Sequence, residues 1–316
     1  MSSAIPNSVS EWRAALDALP SAPDNIPAFF FAHGSPMLAL SAPSGVSHRG
    51  GFESYQGPNG PLASFLKIFG PTLLEKYKPK GIVVFSAHWE TLGERVVTDY
   101  GSQNPLLMDY YGFPDEAYQL KFESKGDKAL SERVVQLYKD AGYLARTTSK
   151  LEPRGEDGRG FAGPGLDHGV FVPFRLMFGE DFKDVPIVQV SIDSSMSPDG
   201  NWKIGRAVAA LRKEGILVLS GGLPIHNLRD FSSFHPDTAK PVLHDFHKAI
   251  LDAVSKATPE ERKTAMTALT KHAGFRLANP REEHFVSLYV AAGAAEDGQV
   301  KVLNGLYGIP TVAFGV

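Results

Sequence analysis

The chain of 316 residues contains no cysteine. That excludes disulfides, thiolate nucleophiles and cysteine-bound zinc, and it leaves histidine and carboxylate as the strong metal ligands. An excess of charge of one sign is also missing. The formal net charge is -3, so no basic surface offers itself to nucleic acid, whose binding rests on neutralised phosphates. No apolar run approaches the ~20 residues that span a bilayer. The opening Met-Ser-Ser-Ala-Ile-Pro-Asn has neither the basic region nor the apolar core of a signal peptide. The expectation is a cytoplasmic protein without nucleic-acid or membrane partners. No repeat or linker divides the chain, and its 43% hydrophobic content suffices for one large core. A single catalytic domain over 1–316 is expected, with 1–26 as a leading segment and helix.

What the chain does have is a recurring design of a buried strand followed by a histidine. Gly81 to Glu90 reads Gly-Ile-Val-Val-Phe-Ser-Ala-His-Trp-Glu. Its apolar run suits a strand covered on both faces, as in a parallel sheet, and stops at Ser86 just before His88. Pro27 to Pro36 places His33 after Ala-Phe-Phe-Phe-Ala, and Gly215 to Asn227 places His226 after Ile-Leu-Val-Leu-Ser-Gly-Gly-Leu-Pro-Ile. Residues at the carboxyl ends of parallel strands face the crevice where open α/β sheets bind ligands. Three strands would therefore bring imidazole to one sheet edge.

The remaining pattern supplies the layers around such a sheet. Helical spacing predicts helices over Ser10–Leu19, Pro61–Tyr77, Lys128–Ala141, Asn201–Lys213 and Pro241–Lys256, and the apolar runs predict a buried strand over Val185–Asp193 and closing strands over Val300–Leu303 and Thr311–Phe314. The segment from Leu38 to Gly60 is long for a connection and suits a lid or a solvated insertion. Asn104 to Tyr118 is aromatic and irregular. Asn279-Pro280-Arg281-Glu282 reads as a helix start with Asn279 as N-cap, which puts His284 one turn inside, flanking the apolar stripe of Phe285, Leu288, Tyr289 and Ala292. His168 stands between Asp167 and a glycine. His244 and His247 read as the solvated flank of a helix and, with His48, His235 and His272, are set aside. The fold class is α/β, one domain with a central, largely parallel mixed sheet flanked by helices and the active site at the carboxyl ends of its strands.

Five histidines survive: His33, His88, His168, His226 and His284. Neutral imidazole suits a divalent transition metal, three ligands leave positions open for a substrate, and the other histidines serve proton transfer near neutral pH. At this point the chain resembles the class III extradiol ring-cleavage dioxygenases (LigB-like), in particular their 4,5-DOPA extradiol dioxygenase branch, from about residue 27 to 316. The resemblance rests on His33-Gly-Ser-Pro-Met37, Ser86-Ala-His-Trp89, Leu166-Asp-His-Gly169, Gln189-Val-Ser-Ile-Asp193, His226-Asn-Leu-Arg229 and Pro280-Arg-Glu-Glu-His284, in the family's order.

The resemblance implies that His33, His88 and His284 hold the metal. It implies that His226 is a further ligand in a resting site or the acid/base of turnover, and that His168, oriented by Asp167, stands near the substrate. Better-known class III enzymes use a glutamate as third ligand, whereas His284 holds that position here, so the metal is Fe(II) for turnover or Zn(II) as isolated. The implied reaction opens the ring of a DOPA-like catechol with O2. Two rival readings use the same residues: a zinc-dependent hydrolase, and a non-catalytic binding protein of the same superfamily.

Overall fold

The computed structural model describes residues 5–40, 52–154 and 160–316, so the middle of the segment from Leu38 to Gly60, read as a lid or a solvated insertion, and part of the loop before His168 lie outside the described residues, as does His48. The strands in chain order are β1 (Ala28–Ala32), β2 (Gly81–Thr91), β3 (Glu94–Thr98), β4 (Glu123–Ser124), β5 (Leu144–Thr148), β6 (Asp181–Phe182), β7 (Ile187–Asp193), β8 (Ile216–Gly222), β9 (Val300–Asn304) and β10 (Thr311–Phe314). Eight of them form one sheet in the order β5-β3-β7-β2-β8-β1-β10-β9, and β4 pairs with β6 apart from it.

The four central strands, β7, β2, β8 and β1, run parallel, whereas β3 reverses against β7 and β10 against β1. Their apolar runs follow from this arrangement. A parallel sheet is covered on both faces, and Ile82, Val83, Val84 and Phe85 of β2 and Leu217, Val218 and Leu219 of β8 are all fully buried. Strand alternation sorts the three phenylalanines of β1 between two helical layers. Phe29 packs edge-on against Phe69 of the helix Pro61–Tyr77, and Phe31 lies 6.1 Å from Phe174 of the helix His168–Phe178. Phe30 faces the opposite layer, beside Gly222 and the helix Glu283–Ala294. The result is an α/β domain with a mostly parallel mixed sheet between helices.

Two elements differ from the sequence reading in ways that matter to the site. Strand β2 does not end at Ser86. It pairs with β7 through Phe85 opposite Val190 and resumes at Glu90 opposite Ile192, so residues 86–89 bulge against the single residue Ser191. His88 sits in that bulge, where the extra residues re-aim a side chain. The last long helix begins at Glu283 rather than after Asn279, and every residue of it is buried, so His284 lies in its first turn and no polar face exists for it to flank. Asn279 does not cap that helix; its side-chain amide donates to the Pro224 carbonyl at 2.8 Å. Residues 201–213 divide into a helix Pro198–Ala207 and a 3-10 turn Ala209–Glu214. Among the described residues no helix is long and apolar enough to cross a membrane.

Candidate metal centre

β2, β8 and β1 are neighbours in the sheet, so the histidines that follow their apolar runs arrive at one edge. Gly34 follows His33 at φ +69, a conformation only glycine adopts at little cost, and the turn brings the Gly34 carbonyl 2.7 Å from His33 Nδ1. His284 is drawn in from the other layer. Its carbonyl accepts from Leu223 N–H at 3.0 Å, and a Cβ on Gly222 would stand only 2.3 Å from that carbonyl, so the exit of β8 has to be glycine for the helix to approach.

His33, His88 and His284 each offer a ring nitrogen within 4.8 Å of the others, and all three are buried. Nε2 of His88 and Nε2 of His284 lie 2.9 Å apart. On the far side of each ring an acceptor waits at Nδ1: Gly34 O for His33, Glu283 Oε1 at 2.9 Å for His284, and Asp109 Oδ2 at 3.3 Å with Asp167 Oδ1 at 3.6 Å for His88. The bonds at His33 and His284 hold the proton on Nδ1 and leave the lone pair on Nε2, whereas at His88 the two carboxylates act on Nδ1 by charge at 3.3 and 3.6 Å. Three ring nitrogens then converge. Nε2 of His33 is buried with no hydrogen-bond partner, a costly state for a polar atom unless something else fills the role. Burial first, then the neighbouring His88, His168 and His226, hold His33 well below its ordinary pKa, so it stays neutral.

A second layer of polar groups stands behind these rings. His168 opens the helix His168–Phe178, and its backbone N–H and Nδ1 both meet Asp109 Oδ1 at 2.8 Å. Asp109, not Asp167, therefore orients His168. Asp167 occupies the N-cap position of that helix, but its carboxylate is turned inward to accept from Ser86 Oγ (2.7 Å), Arg154 Nη1 (2.9 Å) and Gln189 Nε2 (2.5 Å). Burial alone would raise both acids. His168 and His88 outweigh it at Asp109, and Arg154 with the His88 contact outweighs it at Asp167, so both lie well below the usual carboxylate range. Arg154 also donates to the His88 carbonyl at 3.2 Å, pinning the bulge of β2.

His226 occupies a different position from the three converging rings. It lies face to face on His284, with centroids 3.5 Å apart and planes 14° apart, and groups with Glu283 and His284. Glu283 is held in turn by Arg281 at 3.5 Å, which donates to both carboxylate oxygens of Glu90 at 2.5 and 2.6 Å and so ties the end of β2 to the start of the last helix. Of the histidines set aside, His244 is exposed with Nε2 2.9 Å from Pro236 O. His247 is not solvated. It is buried, and its Nε2 lies 3.0 Å from Gly305 O.

Asp109 and Arg154 are not marked by any pattern in the sequence, and Arg281 is marked only as part of the motif that ends in His284. Asp109 lies in the irregular aromatic stretch where no period marks it. Arg154 lies in the charged stretch before His168 with nothing in its spacing to mark it, and it is fully buried beside Trp89 and Asp167.

The comparisons with known proteins identify the family. The family described as the catalytic LigB subunit of aromatic ring-opening dioxygenase matches residues 27–316. A 4,5-DOPA dioxygenase extradiol-like protein of Schizosaccharomyces pombe is 41% identical over 97% of this chain and 97% of its own. A 4,5-DOPA dioxygenase extradiol of Beta vulgaris is 30% identical over 92% and 96%. The crystal structure of an uncharacterized protein from Escherichia coli K12 superposes with a TM-score of 0.63 at 25% identity, covering 92% of this chain and all of that one. With the family matched over nearly the whole chain, this protein belongs to the LigB family of aromatic ring-opening dioxygenases and is an extradiol ring-cleavage dioxygenase.

Proposed function

We propose that the protein holds one divalent transition metal on Nε2 of His33, His88 and His284 and opens the ring of a DOPA-like catechol with O2. The observation that carries this reading is the convergence of one ring nitrogen from each of three buried histidines, with an acceptor on or near Nδ1 of each ring. Nε2 of His88 and Nε2 of His284 face each other at 2.9 Å, a distance at which they either share a ring proton or bind one cation, and the buried, unpartnered Nε2 of His33 favours the cation. An all-imidazole donor set with carboxylates behind it fits Fe(II) or Zn(II) and does not fit the hard ions that seek oxygen. When bound, Fe(II) supplies the redox path between an electron-rich catechol and O2, which Zn(II) lacks.

The protein's own contribution is to orient and to move protons. Asp109 keeps the His168 proton on Nδ1, which leaves Nε2 of His168 as its basic atom, on a ring 4.0 Å from that of His88. His226 is the proposed acid/base for the catechol hydroxyl, because a ring stacked parallel on His284 holds its nitrogens out of the plane in which His284 would bind a metal. Tyr110, edge-on to His168 at 5.5 Å, and Phe234, edge-on to His226 at 5.9 Å, supply aromatic walls on the two sides.

The test is to purify the protein without chelator, measure its metal, load Fe(II) anaerobically and add DOPA with O2. The expected result is a yellow ring-opened product that forms with Fe(II) and not with Zn(II). Ester or amide hydrolysis by the zinc form, with no oxygen uptake by the iron form, would favour the hydrolase.

A further inference from the structure

We infer that Asp109 is the positioning residue of the centre, a single carboxylate that sets which nitrogen carries the proton in both His88 and His168. The inference rests on the metal-centre reading above and extends it to a residue outside every motif of the sequence. Asp109 is fully buried and belongs to neither strand nor helix. Its Oδ1 accepts from the His168 backbone N–H and meets His168 Nδ1, both at 2.8 Å, while its Oδ2 faces His88 Nδ1 at 3.3 Å. An ionised carboxylate only accepts, so the 2.8 Å bond fixes N–H at Nδ1 of His168, and the negative charge 3.3 Å from His88 Nδ1 favours the proton on that nitrogen as well, with the lone pair on Nε2.

Asp167 is the other carboxylate near His88, but it is farther, at 3.6 Å, and its oxygens already serve Ser86, Arg154 and Gln189. Crowding fixes the arrangement further. A Cβ on Gly169 would stand 2.7 Å from Ser86 Oγ and 3.1 Å from both Asp167 Oδ1 and His88 Nδ1, so the His88 ring has little room to swing away from Asp109.

The substitution Asp109→Asn separates the two oxygens. Oδ1 serves two donors at 2.8 Å and Oδ2 one group at 3.3 Å, so the amide oxygen takes the Oδ1 place and the amide nitrogen turns to His88. A donor facing Nδ1 drives the His88 lone pair to Nδ1 and its proton to Nε2, the atom proposed to bind the metal. Loss of such a supporting partner costs about 10- to 100-fold in metal affinity.

The experiment is a Zn(II) titration of the full chain, of Asp109→Asn and of His88→Ala, with thermal unfolding of each metal-free sample as a check on folding. Alongside it, the 15N shifts of the histidine ring nitrogens are read on the unsubstituted zinc-loaded protein, a measurement that does not depend on a variant folding. The expected results are zinc affinity lowered about 10- to 100-fold in Asp109→Asn, and His168 protonated at Nδ1. Zinc affinity within twofold of the unsubstituted chain, or a His168 proton on Nε2, would overturn the inference. If His88→Ala loses zinc and Asp109→Asn does not, Asp109 falls and the metal centre stands; if His88→Ala also keeps zinc, the metal centre falls and the inference with it.

Discussion

The imidazoles of His226 and His284 lie stacked, 3.5 Å between centroids and 14° between planes. A ring nitrogen donates its lone pair within the ring plane, so two rings in parallel planes do not aim at one ion. This separates His226 from the three converging histidines although it touches one of them. It also means that a charge on His226 is felt at His284, since two cationic rings in face-to-face contact repel.

Replacing His226 with alanine should therefore leave the metal content near that of the unsubstituted protein while catechol turnover falls by about 10²- to 10⁴-fold, the usual contribution of positioned proton transfer. Metal stoichiometry and turnover on the same sample decide it. Loss of metal ahead of turnover would make His226 a ligand.

His284→Ala should abolish metal retention, and His244→Ala should not. His284 offers a buried ring nitrogen 2.9 Å from His88 Nε2, whereas His244 sits on the exposed side of its helix against the Pro236 carbonyl. Equal loss in both variants would mean that the metal is held elsewhere.

The buried pair of Arg154 and Asp167 gives a stability prediction. Both side chains are fully buried, 2.9 Å apart, so Arg154→Met leaves a carboxylate without its counter-charge in the interior. Breaking such a pair from one side costs about 3–5 kcal/mol, and the double variant Arg154→Met with Asp167→Asn should recover part of the loss. Urea unfolding reads both. A single variant within about 1 kcal/mol of the parent would contradict the assignment.

His247 gives a pH dependence away from the site. Burial, partly opposed by the Gly305 carbonyl, lowers its pKa from 6.5 to about 4. A group depressed on folding contributes stability above its unfolded pKa that is lost as pH falls through the folded value. The contribution is complete above about pH 6.5 and disappears toward pH 4, on the order of 3 kcal/mol. His247→Gln should flatten the stability curve in that window relative to the parent. An unchanged slope would show that His247 titrates normally.

The strand-borne part of the site was legible in the sequence because a doubly covered parallel strand must be apolar throughout, so the first polar residues after it stand out. His33, His88 and His226 were found in this way, and β1, β2 and β8 prove to be neighbours. His284 stands out from the helix start read at Asn279 to Glu282 and again in the family pattern, but that helix begins at Glu283, and Asn279 bonds across to Pro224 instead of capping it. Asp167 was paired with His168 by adjacency. Neighbours at a helix start point in different directions, and the true partner, Asp109, comes from a segment 59 residues away with no periodicity to expose it.

The most direct measurement of the central claim is a crystal structure of the metal-loaded protein with anomalous scattering recorded at the metal edge. Among the described residues, three groupings of side chains are close enough to compete for the ion: His33 with His88 and His284, His88 with Asp109 and His168, and His226 with Glu283 and His284. The account expects one anomalous peak about 2.1 Å from Nε2 of His33, His88 and His284, with His226 outside ligand distance. A peak at either of the other groupings, or none at the three converging nitrogens in a protein of full metal content, would contradict it.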